Sequence, residues 1–156
     1  MGPTELNEDF VDLLRCLLDA EVEFMIVGAH ALAAHGLPRA TGDLDVLVAP
    51  TTENSARVVR ALEQFGAPLA AHGISRADFE VAENVYQMGL PPRRIDVLTS
   101  ISGVSFEEAR DSQIMVSLEG MNLPVLGRSA LIKNKRAAGR PKDLLDVETL
   151  ENPSRR

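Results

Sequence analysis

The chain has 156 residues, 45% of them hydrophobic and 25% charged, with a formal net charge of -7. That length suits one domain, residues 1–156, whose core buries roughly two-thirds of the surface its unfolded form exposes. The acidic balance excludes a broad grip on nucleic acid through many phosphates, the sole cysteine, Cys16, excludes an internal disulfide, and no apolar run approaches the ~20 residues of a membrane span. A cytoplasmic protein with no membrane partner is expected.

Along the chain, Phe10, Val11, Leu13, Leu14, Leu17 and Leu18 recur at helical spacing over residues 8–20. Phe24-Met25-Ile26-Val27 then reads as a buried strand ending at Gly28. The Ala-rich stretch 29–34 stops at Gly36 and Pro38, which marks a short helix. Residues 44–48 form a second strand. Thr51 or Thr52 caps the next helix, in which Val58, Val59, Leu62 and Phe65 are spaced for burial and Gly66 is the terminator. Residues 67–84 carry no clear signal. Strands follow at 85–88 and 95–98, joined through Gly89-Leu90-Pro91-Pro92-Arg93, where the prolines forbid continued pairing. Ser105-Phe106-Glu107-Glu108 is a capping box that opens another helix. Residues 114–118 and 123–126 flank Glu119-Gly120-Met121-Asn122 as a second hairpin. Ser129 caps a helix over 130–138, Gly139 breaks it, and 143–150 form a last helix. Helices at both ends around a small mixed β-sheet indicate an α/β or α+β architecture.

Chemistry concentrates in two places. Gly28 turns a strand into a helix, offering backbone N–H groups to a phosphate, and Gly42-Asp43-Leu44-Asp45 follows on the next strand. Successive strand residues point to opposite faces, so Asp43 and Asp45 emerge together while Leu44 and Val46 enter the core. Paired carboxylates suit Mg²⁺ or Mn²⁺, which take hard oxygen ligands together with substrate phosphates. Asp96, in Arg94-Ile95-Asp96-Val97-Leu98, supplies a third carboxylate as metal ligand or general base, and a two-metal centre would align hydroxyl, phosphate and leaving group. Arg39 and Thr41 lie on the loop into the Asp pair and would orient substrate. His30 sits where it would face a nucleotide. His30 and His35 are five apart, unlike the spacing of a zinc-binding pair on a helix. One Tyr and no Trp argue against a stacking platform for single-stranded nucleic acid.

Taken in order, Val27-Gly28-Ala29, Arg39-Ala40-Thr41-Gly42-Asp43-Leu44-Asp45 and Arg94-Ile95-Asp96 resemble the nucleotidyltransferase superfamily related to DNA polymerase beta. More narrowly they resemble small bacterial members that include abortive-infection and toxin–antitoxin nucleotidyltransferases. The segment from Lys133 through Gly139-Arg140-Pro141-Lys142-Asp143-Leu144-Leu145-Asp146 resembles the C-terminal signature of that group. The resemblance covers roughly residues 22–150. It implies a minimal nucleotidyltransferase fold that binds an NTP with Mg²⁺ or Mn²⁺ and transfers a nucleoside monophosphate to a hydroxyl, releasing pyrophosphate. Asp43, Asp45 and Asp96 would be catalytic and metal-binding; Gly28, Ala29, His30, Arg39, Thr41, Lys133 and Arg136 would bind the nucleotide. The family has Gly-Ser or Gly-Gly at the phosphate turn, whereas Ala29 here brings no hydroxyl and leaves backbone donors to hold phosphate. An RNA end, a protein side chain or a small molecule would be the acceptor, and a homodimer or partner protein would complete its binding surface. Two other readings stand beside this one: a non-catalytic nucleotide-binding or antitoxin-type module, and a metal-dependent phosphohydrolase.

All three lysines, Lys133, Lys135 and Lys142, fall within ten residues together with Arg136 and Arg140. Such an island suits the β- and γ-phosphates of a nucleotide, Lys as a point charge and Arg as a fork. A helix begun at Ser129 places Lys133 and Arg136 on one side and turns Lys135 away, which makes Lys133 and Arg136 the expected phosphate contacts.

Overall fold

The computed structural model describes residues 6–37 and 42–152. Helix α1 (Glu8–Asp19) starts where the Asn7 side chain accepts a 3.0 Å hydrogen bond from the Phe10 N–H, and it buries Phe10, Leu13, Leu14 and Leu17. Strand β1 (Phe24–Val27) is buried along its whole length and passes directly into α2 (Gly28–Ala34). Strand β2 is Leu44–Val48. Of the two candidate caps for α3 (Thr52–Phe65), Thr51 serves, its hydroxyl accepting from the Asn54 N–H, and Gly66 closes the helix. Residues 67–84 hold a single 3₁₀ turn, Arg76–Phe79, that sinks Phe79 into the core. Strands β3 (Val85–Met88) and β4 (Ile95–Leu98) follow. Then come α4 (Phe106–Ser112) behind its Ser105–Glu108 capping box, β5 (Ile114–Leu118), β6 (Met121–Val125), α5 (Arg128–Ala138) and α6 (Pro141–Glu151).

Three boundaries differ from the sequence expectation. The β5–β6 turn is only Glu119-Gly120, both at positive φ, which matches the twist of a two-residue hairpin and lets β6 begin at Met121. Gly127 stands at the N-cap of α5 without a side-chain bond, so Ser129 lies inside the helix. Helix α6 begins at Pro141, because Asp143 reaches back to the Arg140 backbone N–H and closes the first turn from within.

The strands form one mixed sheet in the order β3-β4-β2-β1-β6-β5, with β2 parallel to β4, β1 parallel to β6 and the other pairs antiparallel. Helices flank it in two groups, α1 with α3 and α5 with α6 and α4, giving a mixed α/β fold. Among the described residues no helix is long and apolar enough to cross a membrane.

One buried polar side chain ties α3 to the sheet. Asn54, 1% exposed, accepts from the Glu23 N–H at 2.7 Å and donates to the carbonyls of Glu23 and Ala49 at 3.0 and 2.9 Å. Replacing Asn54 by Ala removes all three bonds and takes the acceptor from the Glu23 N–H, while the Glu23 and Ala49 carbonyls keep the N–H groups of Ala49 and Thr51. The expected loss is about 2–3 kcal/mol, or roughly 5–10 °C in Tm, read by thermal unfolding.

Candidate active site

Register sets the centre of the site. Val27 lies opposite Asp45, Asp45 opposite Asp96, and Asp96 opposite Gln87, so these four residues form a row across β1, β2, β4 and β3. Lateral neighbours share a face and strands lie about 4.8 Å apart, which brings the Asp45 and Asp96 carboxylates together. Asp43, two residues before Asp45, reaches the same cluster, where its charge acts on Asp45.

Arg94, two residues before Asp96, stands among them. Its Nη2 lies 3.3 Å from Asp43 Oδ2 and its Nε 3.1 Å from Asp96 Oδ1. The Nε contact is poorly aligned for a hydrogen bond, and Asp43 Oδ1, Asp96 Oδ1 and Arg94 Nε are all buried without a hydrogen-bond partner. Burial, the Asp96 carboxyl and then the Asp43 charge push the Asp45 pKa up to about 7, against a smaller opposing pull from Arg94. Among the described residues no three acidic, imidazole or thiol side chains are arranged as a ready metal cage.

Gly28 adjoins this cluster at φ +68°. A Cβ there would collide with Asp45 Oδ2, so the position demands glycine for both conformation and space. Two hollows of about 410 and about 400 Å³ meet at Gly28, Asp45, Lys135 and Arg140. The first also carries Ala29, Asp43, Arg94, Lys142 and Asp146. The second is walled by Leu98, Ile101 and Ala138 with Ser100, Ser102 and Asn134 as polar groups.

The basic wall is not the one expected from the sequence. Lys133 and Arg136 are exposed and pair with Glu108 and Glu151 at 2.5 and 2.6 Å, away from the residues lining either hollow. Lys135, which the Ser129 phasing turned away, lines both hollows. Its Nζ sits 3.2 Å from Asp143 and 3.2 Å from Asp146, with 12% of the side chain exposed. Fully buried Leu131, four residues earlier, fixes the helix phase and puts Lys135 on the inward side. Arg140 bonds Asp143 through Nε at 2.6 Å, and these bonds, with help from Lys135, hold the Asp143 carboxyl down at about 2 against its burial.

Of the remaining expected residues, Ala29 lines the first hollow. His30 instead bonds the Gly42 carbonyl at 2.9 Å through Nε2, packs edge-on against Phe10 and lines a separate apolar pocket. Arg39 and Thr41 lie outside the described residues. Arg94, Asp143 and Asp146 were not expected in the site; Lys135 and Arg140 were expected only as members of the basic island, behind Lys133 and Arg136, and the buried phase of Leu131 was the available signal for Lys135.

No family model and no curated protein sequence matches the chain. Among solved structures it is similar to TM1012 of Thermotoga maritima, provisionally named a nucleotidyltransferase, with TM-score 0.52 and 14% identity over 97% of this chain and 96% of the other. It is also similar to the lincosamide antibiotic adenylyltransferase LnuA in its lincomycin-bound form, with TM-score 0.51 and 11% identity over 96% and 98%. At such identities the likeness is one of fold: the chain has the nucleotidyltransferase-like α/β fold along nearly its whole length.

The two perturbed carboxyls give opposite pH signatures. Asp45 ordinarily titrates near 3.8; folded, it keeps its proton to about 7, so its stabilisation is complete below about pH 4 and is lost as pH rises through about 7. Asp143 contributes stability that is present above about 3.8 and lost as pH falls through about 2. Asp45→Asn therefore flattens the neutral-range decline without touching the acid limb. At about pH 8 the variant melts above wild type by an amount on the order of 2 kcal/mol, a few degrees by scanning calorimetry.

Proposed function

We propose that the chain is a metal-dependent nucleotidyltransferase that transfers a nucleoside monophosphate from an NTP to a hydroxyl acceptor and releases pyrophosphate. The observation that carries this reading is the carboxylate cluster, in which Asp43 and Asp45 share one cleft with Lys135, Arg140 and Lys142 and the buried Asp96 stands directly beside Asp45. Acidic and basic walls of this kind suit the two ends of a metal–triphosphate. The fold shared with LnuA and TM1012 supports it.

Mg²⁺ or Mn²⁺ fits the acidic wall, since Asp43 Oδ1 and Asp96 Oδ1 are hard donors buried with no hydrogen-bond partner. When bound, the metal would polarise a phosphoryl oxygen and neutralise developing charge. The protein's own residues do the rest. Gly28 clears room beside Asp45 for the α-phosphate, Lys135 and Lys142 offer point charges to the β- and γ-phosphates, and Asp96 or Asp45 accepts the acceptor's hydroxyl proton. Asp143 and Asp146 hold Lys135 in place. The bound lincomycin of LnuA, an adenylyltransferase, favours a small molecule among the open acceptors, and the second hollow has room for one or for the nucleoside. RNA or protein acceptors would need a surface from a second copy or a partner. Ala29, which lends no hydroxyl to the phosphates, also favours the runner-up, a nucleotide-binding module of the antitoxin type with little turnover.

Incubation with α-labelled NTPs, Mg²⁺ or Mn²⁺, total RNA, lysate protein and small hydroxylated compounds tests the reading, with label transfer and equimolar pyrophosphate expected. Release of phosphate instead would indicate a phosphohydrolase, and binding without turnover the module. Lys135→Ala should lower kcat/KM by about 10²–10³, while Lys133→Ala/Arg136→Ala stays within roughly threefold of wild type because those side chains make exposed pairs. A larger loss in the double variant would restore Lys133 and Arg136 as phosphate ligands.

A further inference from the structure

We propose that Arg94 is an internal counter-cation: in the metal-free protein its guanidinium holds the carboxylate cluster together and competes with a divalent cation for the same oxygens. The inference rests on the metal-dependent reading above and concerns how the metal enters.

Arg94 lies immediately before β4 and its side chain turns to the same cluster as that of Asp96, two residues on. The Arg94 carbonyl accepts a 3.0 Å bond from the Leu44 N–H, which anchors its backbone to the strand carrying Asp43 and Asp45. From there the fork reaches both sides of the cluster, 3.3 Å to Asp43 Oδ2, 3.1 Å to Asp96 Oδ1 and 3.4 Å to Asp96 Oδ2. Asp96 is 8% exposed, so the charge opposite it is set by the protein more than by water. Yet the pairing is incomplete, because Nε and one oxygen on each of Asp43 and Asp96 are buried without a hydrogen bond. Arg94 thus balances charge without satisfying the donors and acceptors. A small hard cation accepts electron pairs from carboxylate oxygens in directions a planar fork cannot match. It would displace the guanidinium from at least one carboxylate. Arg94 lines the same hollow as Lys142 and Lys135, so the displaced fork has an anion site beside it. Metal entry is therefore coupled to arrival of phosphate, and the metal alone binds weakly.

The test titrates MnCl₂ into nucleotide-free wild type, Arg94→Met and Arg94→Lys by calorimetry, then repeats each titration with a non-hydrolysable ATP analogue. Arg94→Met keeps the length of the side chain and removes its charge, and should bind Mn²⁺ alone at least about tenfold more tightly than wild type. Arg94→Lys, which cannot touch two carboxylates at once, should fall between them. Unchanged or weaker affinity in Arg94→Met overturns the proposal. Should Arg94→Met fail to fold, Arg94→Lys decides in the same sense, tighter binding supporting the counter-cation and equal or weaker binding overturning it. Mn²⁺ binding with the nucleotide analogue present, while both variants leave the metal-alone affinity at the wild-type value, overturns the counter-cation alone. If no form binds Mn²⁺ under either condition, the metal-dependent reading falls with it.

Discussion

Asp45 and Asp96 stand side by side on adjacent parallel strands, and burial, together with the neighbouring Asp96 carboxyl and then Asp43, leaves Asp45 holding a proton up to about pH 7. Charges so close in a partly dry site are tolerable only if cations or protons offset them. The surroundings follow from that constraint. Gly28 has no side chain because any Cβ would press on Asp45, Arg94 inserts its fork from the next strand, and the basic residues of α5 and α6 face the cluster across the cleft.

A second electrostatic knot sits at the α5–α6 corner. Asp143 is fully buried, yet it takes bonds from Arg140 and from Lys135, which itself spans Asp143 and Asp146. Removing Lys135 costs more than its pairs contribute, since it takes a buried partner from both Asp143 and Asp146, whereas Arg140 is 60% exposed and solvated. The corner therefore serves stability and orientation at once. It fixes the angle between two helices and aims one ammonium group into the cleft. The exposed pairs of Lys133 with Glu108 and Arg136 with Glu151 have water to compete with and little such leverage.

Much of the fold was legible because its signals are local. Period-two alternation placed Asp43 and Asp45 on one face, the apolar run ending at Gly28 marked β1, and Ser105 with Glu108 announced α4. Asp96 was legible as a strand residue, but its juxtaposition with Asp45 depends on inter-strand register, which no local pattern contains. Lys135 was obscured by taking helix phase from a presumed cap at Ser129 rather than from buried Leu131. His30 has the right place in sequence for a ligand, yet Phe10 and the Gly42 carbonyl claim its ring, a choice made by tertiary packing.

The parallel pairing of β2 with β4 carries a consequence in time. Strands that run the same way cannot be joined by a tight turn, and here the α3 segment, the Phe79 turn and β3 intervene between them. Loop closure over such distances is slow and is rewarded only once the distant strand docks. A growing chain thus has Asp45 long before its lateral neighbour, and β2 long before the helix bearing Lys135. Until those parts arrive the aspartates are separate, hydrated and ordinary in acidity, so the chemistry of the cleft is a property of the finished fold and of no fragment that precedes it on the ribosome.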